Sequence, residues 1–245
     1  MSLAELPTFA SLRPRWGAAD AGTETHGTTV LALQHKDGAI VLADRRATMG
    51  NLIMFDKAEK IVPIDQTVVL AVSGAYARSI EVCRYLRHLF KYYERLDQVT
   101  LSTEAKLGEV SRALSGNLPS ANGAGLFLPI AATYDPVQEK FGVHFFDAAG
   151  ARFESGAYAC AGSGSERIRG VFEYIERTKG PWDGFTKEEA LLEGVRLLGI
   201  ASDLDSATGG PRSGLPSVYE LNREGARRIE ESEIAAAAHA TTAGR

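Results

Sequence analysis

His26-Gly27-Thr28-Thr29-Val30 opens the first strong strand signal in the chain, and its reading decides the fold. The residues ahead of it carry little packing pattern, while those behind it are dense in strand and helix periodicity. That contrast predicts that the peptide bond after Gly27 is cut and that Thr28 becomes the working N-terminus. A threonine that begins a chain at the edge of a sheet carries a hydroxyl that can attack a carbonyl and an α-amine that can take the proton. The reference pKa of such an amine, about 7.7–8.0, leaves it substantially unprotonated near neutral pH. Gly-Thr-Thr before an apolar run is also ordinary strand sequence, because threonine favours strands. The rest of the chain has to carry the argument.

Upstream, residues 1–27 read as a propeptide removed by autoprocessing, since they cap the amine that Thr28 needs. Leu3, Leu6, Phe9, Leu12 and Trp16 allow partial order, and Pro7, Arg13, Pro14 and Arg15 interrupt any signal-peptide apolar run. Downstream, residues 28–234 suit one domain with a sizeable core, and the alanine-rich tail 235–245 is expected to fray. Hydrophobic residues make up 44% and charged residues 24% of the 245, ordinary globular values. A net charge of −4 provides no attraction to nucleic acid or an anionic membrane. No run approaches the roughly 18 apolar residues of a membrane span. Cys83 and Cys160 sit in separate apolar stretches without a CxxC or Cys/His cluster, as buried thiols of a reducing cytoplasm do. The histidines, His26, His35, His88, His144 and His239, share no ligand spacing, so neither metal nor cofactor is expected.

From Thr28 onward, residues 28–34 and 39–43 form two apolar runs joined by His35-Lys36-Asp37-Gly38, a hairpin signal. A loop is expected from Met49-Gly50-Asn51. Residues 60–64 and 67–72 form a second strand pair turning at Asp65-Gln66. Apolar residues in these strands do not alternate with polar ones, which implies burial on both faces. Two helices follow: one carries Val82, Cys83, Leu86, Leu89, Phe90 and Tyr93, the next Leu107, Val110 and Leu114 after a Ser102 N-cap. Strands at 126–134, 141–146 and from 151 come next. Gly162-Ser163-Gly164-Ser165 then turns into a helix with Ile168, Val171, Phe172 and Ile175. Thr186-Lys187-Glu188-Glu189 is a capping box opening a helix with Leu191, Val195 and Leu198. A hairpin of 218–221 and 226–229 around Arg223-Glu224-Gly225 closes the pattern. Strands, two helices, strands, two helices, strands argue for α+β layers, best arranged as a four-layer α-β-β-α sandwich.

Gly27-Thr28-Thr29-Val30, Asp44-Arg45-Arg46-Ala47-Thr48, Lys60-Ile61 and Ser73-Gly74 resemble the catalytic β-subunits of the 20S proteasome. Gly162-Ser163-Gly164-Ser165 and Asp205-Ser206-Ala207-Thr208-Gly209-Gly210-Pro211 match the later motifs, in the form typical of bacterial, actinobacterial-type proteasomes. The resemblance extends from Thr28 to about residue 234. It implies the Ntn-hydrolase fold and threonine endopeptidase activity. Thr28 is then the nucleophile, with Gly27–Thr28 as the cleavage site. Lys60 is the active-site lysine, whose charge lowers the proton affinity of amine and hydroxyl, and Asp44 is its acid, since a buried lysine without a counterion loses its charge. Asp44 has the alternative of capping a turn, with Arg45 or Arg46 as its partner. Arg46 is assigned a supporting role. Gly74 corresponds to the oxyanion-hole residue, whose backbone N–H faces developing negative charge. Ser163, Asp205 and Thr208 correspond to the groups around the threonine amine; many family members have serine where Thr208 stands, and Ser163 has the alternative of capping the next helix. Ala47, Ala58, Val72 and Tyr76 correspond to the neighbourhood of the substrate pocket.

The resemblance also implies partners: rings of seven β-subunits stacked between rings of seven α-subunits, with a ring-shaped ATPase feeding tagged, unfolded substrate. Two readings compete with it. The two-ring bacterial threonine protease of the heat-shock-locus V type shares fold and nucleophile, but Arg45-Arg46 after Asp44 and the long leader favour the proteasome. A structural β-subunit that cuts nothing lacks the threonine, the lysine or leader processing, whereas Gly27-Thr28, Asp44 and Lys60 occur together here. An α-subunit is disfavoured because its N-terminal gating helix motif is missing.

Overall fold

A computed structural model describes residues 27–49, 52–121, 126–210 and 213–242. Residues 1–26 of the leader, Gly50-Asn51, residues 122–125, Pro211-Arg212 and residues 243–245 lie outside the described residues. The chain runs β1 (Thr29–His35), β2 (Gly38–Ala43), β3 (Ala47–Met49), β4 (Leu52–Phe55), β5 (Ile61–Pro63), β6 (Val68–Gly74), α1 (Tyr76–Asp97) and α2 (Thr103–Ala121). It continues as β7 (Phe127–Asp135), β8 (Lys140–Phe146), β9 (Arg152–Ser155), β10 (Tyr158–Gly162), α3 (Ser165–Lys179), α4 (Lys187–Leu204), β11 (Ser217–Asn222), β12 (Gly225–Arg228) and α5 (Glu231–Thr242).

Two five-stranded sheets result, in the orders β10-β1-β2-β11-β12 and β5-β6-β7-β8-β9, with a separate β3-β4 hairpin. Both large sheets are antiparallel throughout. Residue size decides which side faces what. Between the sheets lie mostly small residues, Val30, Ala32, Ala39, Val41 and Ala43 against Val69, Ala71, Ile130 and Ala132. The alternate positions Leu31, Leu33, Ile40 and Leu42 point the other way, onto Ile168, Phe172, Leu191 and Leu198 of α3 and α4. Likewise Val68, Leu70 and Val72 face Val82, Leu86, Leu107 and Val110 of α1 and α2. The absence of polar alternation in the sequence is thus the signature of a four-layer sandwich, the α+β Ntn-hydrolase architecture expected.

Helix starts follow local chemistry. Ser102 Oγ accepts from Ala105 N–H at 3.2 Å, and Thr186 and Glu189 complete their capping box at 3.2 and 2.8 Å. Two features differ from the sequence expectations. The stretch expected to be loop from Met49 is flanked by β3 and β4, whose pairing joins Ala47 to Phe55 and Thr48 to Ile53. The tail expected to fray from Ala235 is helical through Thr242. Ile234 anchors it in the core under α4, Lys187 pairs with Glu233 at 2.7 Å, and alanine is the best helix former.

Candidate active site

The β1–β2 register, Val30 opposite Ala43, brings the residue after β2 beside the start of β1. Asp44 N–H donates to Thr29 O at 3.1 Å, and Thr29 N–H donates to Asp44 Oδ1 at 2.7 Å. From the facing sheet, Lys60 is held just ahead of β5 by Val72 N–H donating to its carbonyl at 2.9 Å. Its Nζ donates to the same Asp44 Oδ1 at 2.8 Å. Lysine and aspartate are 2% and 1% exposed, so this is an ion pair withdrawn from water. Burial pushes the Lys60 ammonium below the ordinary lysine range, with Asp44 opposing the shift. Asp44 Oδ2 accepts from Arg46 N–H and Gly209 N–H, each at 2.9 Å. One oxygen of Asp44 thus takes the lysine and the other caps the turn. The arginine side chains pair elsewhere: Arg45 with Glu59 at 2.8 Å, Arg46 with Asp56 at 3.0 Å and with Ser206 O at 3.1 Å.

Thr28 is 3% exposed, and its hydroxyl donates to the carbonyl oxygen of Gly27 at 2.7 Å. The nucleophile candidate thus sits beside the carbonyl of the bond expected to be cut. Gly27 N–H donates to Thr48 Oγ1 at 3.0 Å, and a Cβ on Gly27 would lie 1.8 Å from Ala207 Cβ, so only glycine fits there. Thr28 N–H donates to Ser163 Oγ at 3.4 Å. Ser163 donates in turn to Asp205 Oδ2 at 2.6 Å, and Thr208 Oγ1 donates to the same oxygen at 2.6 Å. Burial pushes the Asp205 carboxyl up, but hydrogen bonds from Ser163, Thr208 and Ala207 N–H outweigh it and hold the group below the usual carboxylate range. Helix α3 begins with Gly164 as cap and no side-chain capping bond, so Ser163 serves Asp205 rather than the helix.

Gly74 ends β6 at φ +94, and a Cβ there would lie 2.4 Å from Leu126 O. A Cβ on Gly162 would lie 1.9 Å from Thr28 O and 3.4 Å from Ser73 Cβ, so the β6 end carrying Gly74 borders Thr28. The pocket candidates separate. Ala47 and Tyr76 are half-buried, the Tyr76 hydroxyl donating to Glu59 O at 3.1 Å. Ala58 and Val72 are buried, Val72 in the core under α1 rather than on an open wall. Two cavities of about 470 and 530 Å³ lie elsewhere, one beside Lys179 and Phe185, the other behind Gly209 against Leu198 and Leu215. Sequence reasoning missed Thr29, Thr48, Gly164, Ala207 and Gly209 as parts of this site. For Thr29 the doubled threonine was the available signal. Among the described residues no His/Cys/Asp/Glu group is arranged to hold a metal, and no helix is long and apolar enough to cross a membrane.

A buried hydroxyl, a lysine–carboxylate pair one residue away and a carboxylate-anchored serine at the backbone nitrogen can together perform acyl transfer. The family described as Proteasome subunit matches residues 24–212. A Streptomyces griseus protein named Proteasome subunit beta is 34% identical over 236 residues, covering 94% of this chain and 81% of that protein. One of the same name from Acidimicrobium ferrooxidans is 32% identical over 240 residues, covering 93% of this chain and 86% of that protein.

Proposed function

Because the chain belongs to the proteasome subunit family, we propose that it is a self-processing threonine endopeptidase, the catalytic β-subunit of a 20S core particle that degrades unfolded polypeptides. In the precursor, Thr28 Oγ attacks the Gly27 carbonyl carbon, the acyl group passes from nitrogen to oxygen, and water hydrolyses the ester. This releases residues 1–27 and frees the Thr28 α-amine. In each later turnover the hydroxyl attacks a substrate carbonyl while the amine takes its proton, directly or through one water, and returns it to the leaving amine. Water then cleaves the acyl-threonine ester. Lys60, fixed by Asp44, keeps positive charge near the hydroxyl and favours its ionisation. Gly74 N–H stabilises the oxyanion. Ser163, Asp205 and Thr208 orient the amine, and Arg46 supports Asp44. Of the pocket candidates, the half-buried Ala47 and Tyr76 border the substrate side chain once neighbouring subunits are in place, while the buried Ala58 and Val72 do not reach it. The subunit works in the cytoplasm within a multi-subunit core with α-subunits, and an ATPase ring delivers tagged substrate.

The observation that carries this reading is the Lys60–Asp44 pair, 2.8 Å long and buried, tied by a 2.7 Å bond to the residue following Thr28. Intact-mass measurement on assembled particles should show loss of 27 residues and a threonine N-terminus. Thr28→Ala is expected to keep its leader and to lose peptidase activity by about 10³-fold or more. A different N-terminus, or an active alanine variant, overturns the assignment.

A further inference from the structure

Thr29 is fully buried and is bonded at both ends. Its backbone N–H holds Asp44, and with it Lys60. Its hydroxyl oxygen lies 2.6 Å from Thr208 Oγ1, itself 1% exposed. The direction of that second bond follows from counting protons. A hydroxyl has one proton to give, and an ionised carboxylate only accepts. Thr208 and Ser163 both spend theirs on Asp205 Oδ2 at 2.6 Å, the short contacts of charge-assisted bonds. Thr208 therefore accepts from Thr29, and Ser163 accepts from the Thr28 nitrogen. Gly164 protects the arrangement. Its backbone is ordinary right-handed helical at φ −80, so conformation does not demand glycine. Space does, because a Cβ there would lie 2.3 Å from Thr29 Oγ1 and 2.8 Å from Thr208 Oγ1.

We propose that Thr29 is a positioning residue for the Thr28 amine: its hydroxyl donates to Thr208, which commits the Thr208 proton to Asp205, and the carboxylate so held takes the Ser163 proton and leaves Ser163 only an acceptor for the amine. An amine that donates to Ser163 keeps its lone pair free for the nucleophile's proton. A Ser163 hydroxyl free to rotate would offer its own proton to that lone pair and compete with the reaction. The inference rests on the reading of Thr28 as nucleophile and of its amine as base.

The test uses assembled, processed particles and a fluorogenic peptide. Thr29→Val keeps the shape and removes the hydroxyl; kcat is expected to fall about tenfold, the scale of one buried hydrogen bond, with KM within about twofold of wild type. Thr29→Ser, which retains the donor, should restore kcat. Because Thr29 acts only through Thr208, adding Thr29→Val to Thr208→Val should slow the enzyme no further. Wild-type kcat in Thr29→Val, no rescue by serine, or additive losses in the double variant overturns the proposal. Should Thr29→Val yield no assembled particle, Gly164→Ala decides, since its methyl pushes apart the Thr29 and Thr208 hydroxyls while residue 29 itself stays threonine. The same fall in kcat at unchanged KM supports the proposal, and full activity overturns it. If wild type itself is unprocessed and inactive, the threonine-protease reading fails; if wild type is active and Thr29→Val matches it, only the role of Thr29 fails.

Discussion

Asp44 divides its two oxygens between a lysine and a turn, and this makes Lys60 the residue where rate and stability can be separated. Lys60→Met removes the charge that favours hydroxyl ionisation and leaves Asp44 buried without its cation. Peptidase activity should fall about 10²–10⁴-fold. Stability should drop by roughly 3–5 kcal/mol, as when one partner of a buried pair is deleted. Lys60→Met combined with Asp44→Asn removes both charges and should recover much of the stability while recovering no activity, measured by urea unfolding beside peptide hydrolysis. If activity returns together with stability, Lys60 is a folding residue. The pairing of Asp44 with Lys60 was legible through the resemblance of Asp44-Arg45-Arg46-Ala47-Thr48 and Lys60-Ile61 to the proteasome motifs, with the general need of a buried lysine for a counterion beside it. The turn cap through Arg46 was the alternative the sequence left open, but the second donor to that oxygen, Gly209 N–H, was not legible, because Gly209 arrives from 165 residues away.

At the scale of elements, the parts written in short motifs were the ones legible in advance. The Thr186–Glu189 capping box depends on four neighbouring residues, and Thr186→Ala should lower stability by about 1 kcal/mol without affecting peptidase activity. The β3–β4 hairpin was illegible because β3 is only three residues long and β4 carries no burial. Leu52, Ile53, Met54 and Phe55 are all exposed, and a run of four apolar residues without a buried side has no period to read. Helix α5 was misjudged because alanine repeats reveal little about contacts; one side chain decides it. Ile234 is 2% exposed in the core beneath α4. Ile234→Ala should cost about 2–4 kcal/mol in unfolding free energy. A loss below about 0.5 kcal/mol would mean that the tail is not docked.

For the whole molecule, the helix-covered faces of the two sheets bury two histidines, His35 on the side of Leu31 and Leu33 and His144 opposite Ala131. His35 is 1% and His144 6% exposed, and burial holds both imidazoles below the ordinary histidine value. For His35, Glu220, Asp37 and Glu188 oppose the shift and Lys187 adds to it. For His144, Glu154 and Glu104 oppose it while Arg152 and Lys140 add to it, and its Nε2 lies 3.1 Å from Thr133 Oγ1. The folded state thus favours the neutral rings. Above about pH 6.5 both states are neutral and nothing is lost. As pH falls below that value the unfolded chain takes up protons first, and stability declines with a limiting slope of about 1.4 kcal/mol per pH unit for each histidine. Urea unfolding between pH 8 and 5 should show this decline, and His144→Gln should flatten it. An unchanged slope in that variant removes His144 from the account.

By itself the sequence determined the layers and the candidate chemistry. Strand and helix periods and helix caps each depend on residue type and on neighbours a few positions away, while the conjunction of Gly27-Thr28 with Asp44 and Lys60 was read through its resemblance to the proteasome motifs. Only the tertiary structure decided how the site is wired. Thr29 and Thr208 are separated by 179 residues and meet at 2.6 Å. Which hydroxyl donates to which is set by distance to a shared carboxylate, and distance between remote residues is a property of the folded chain alone.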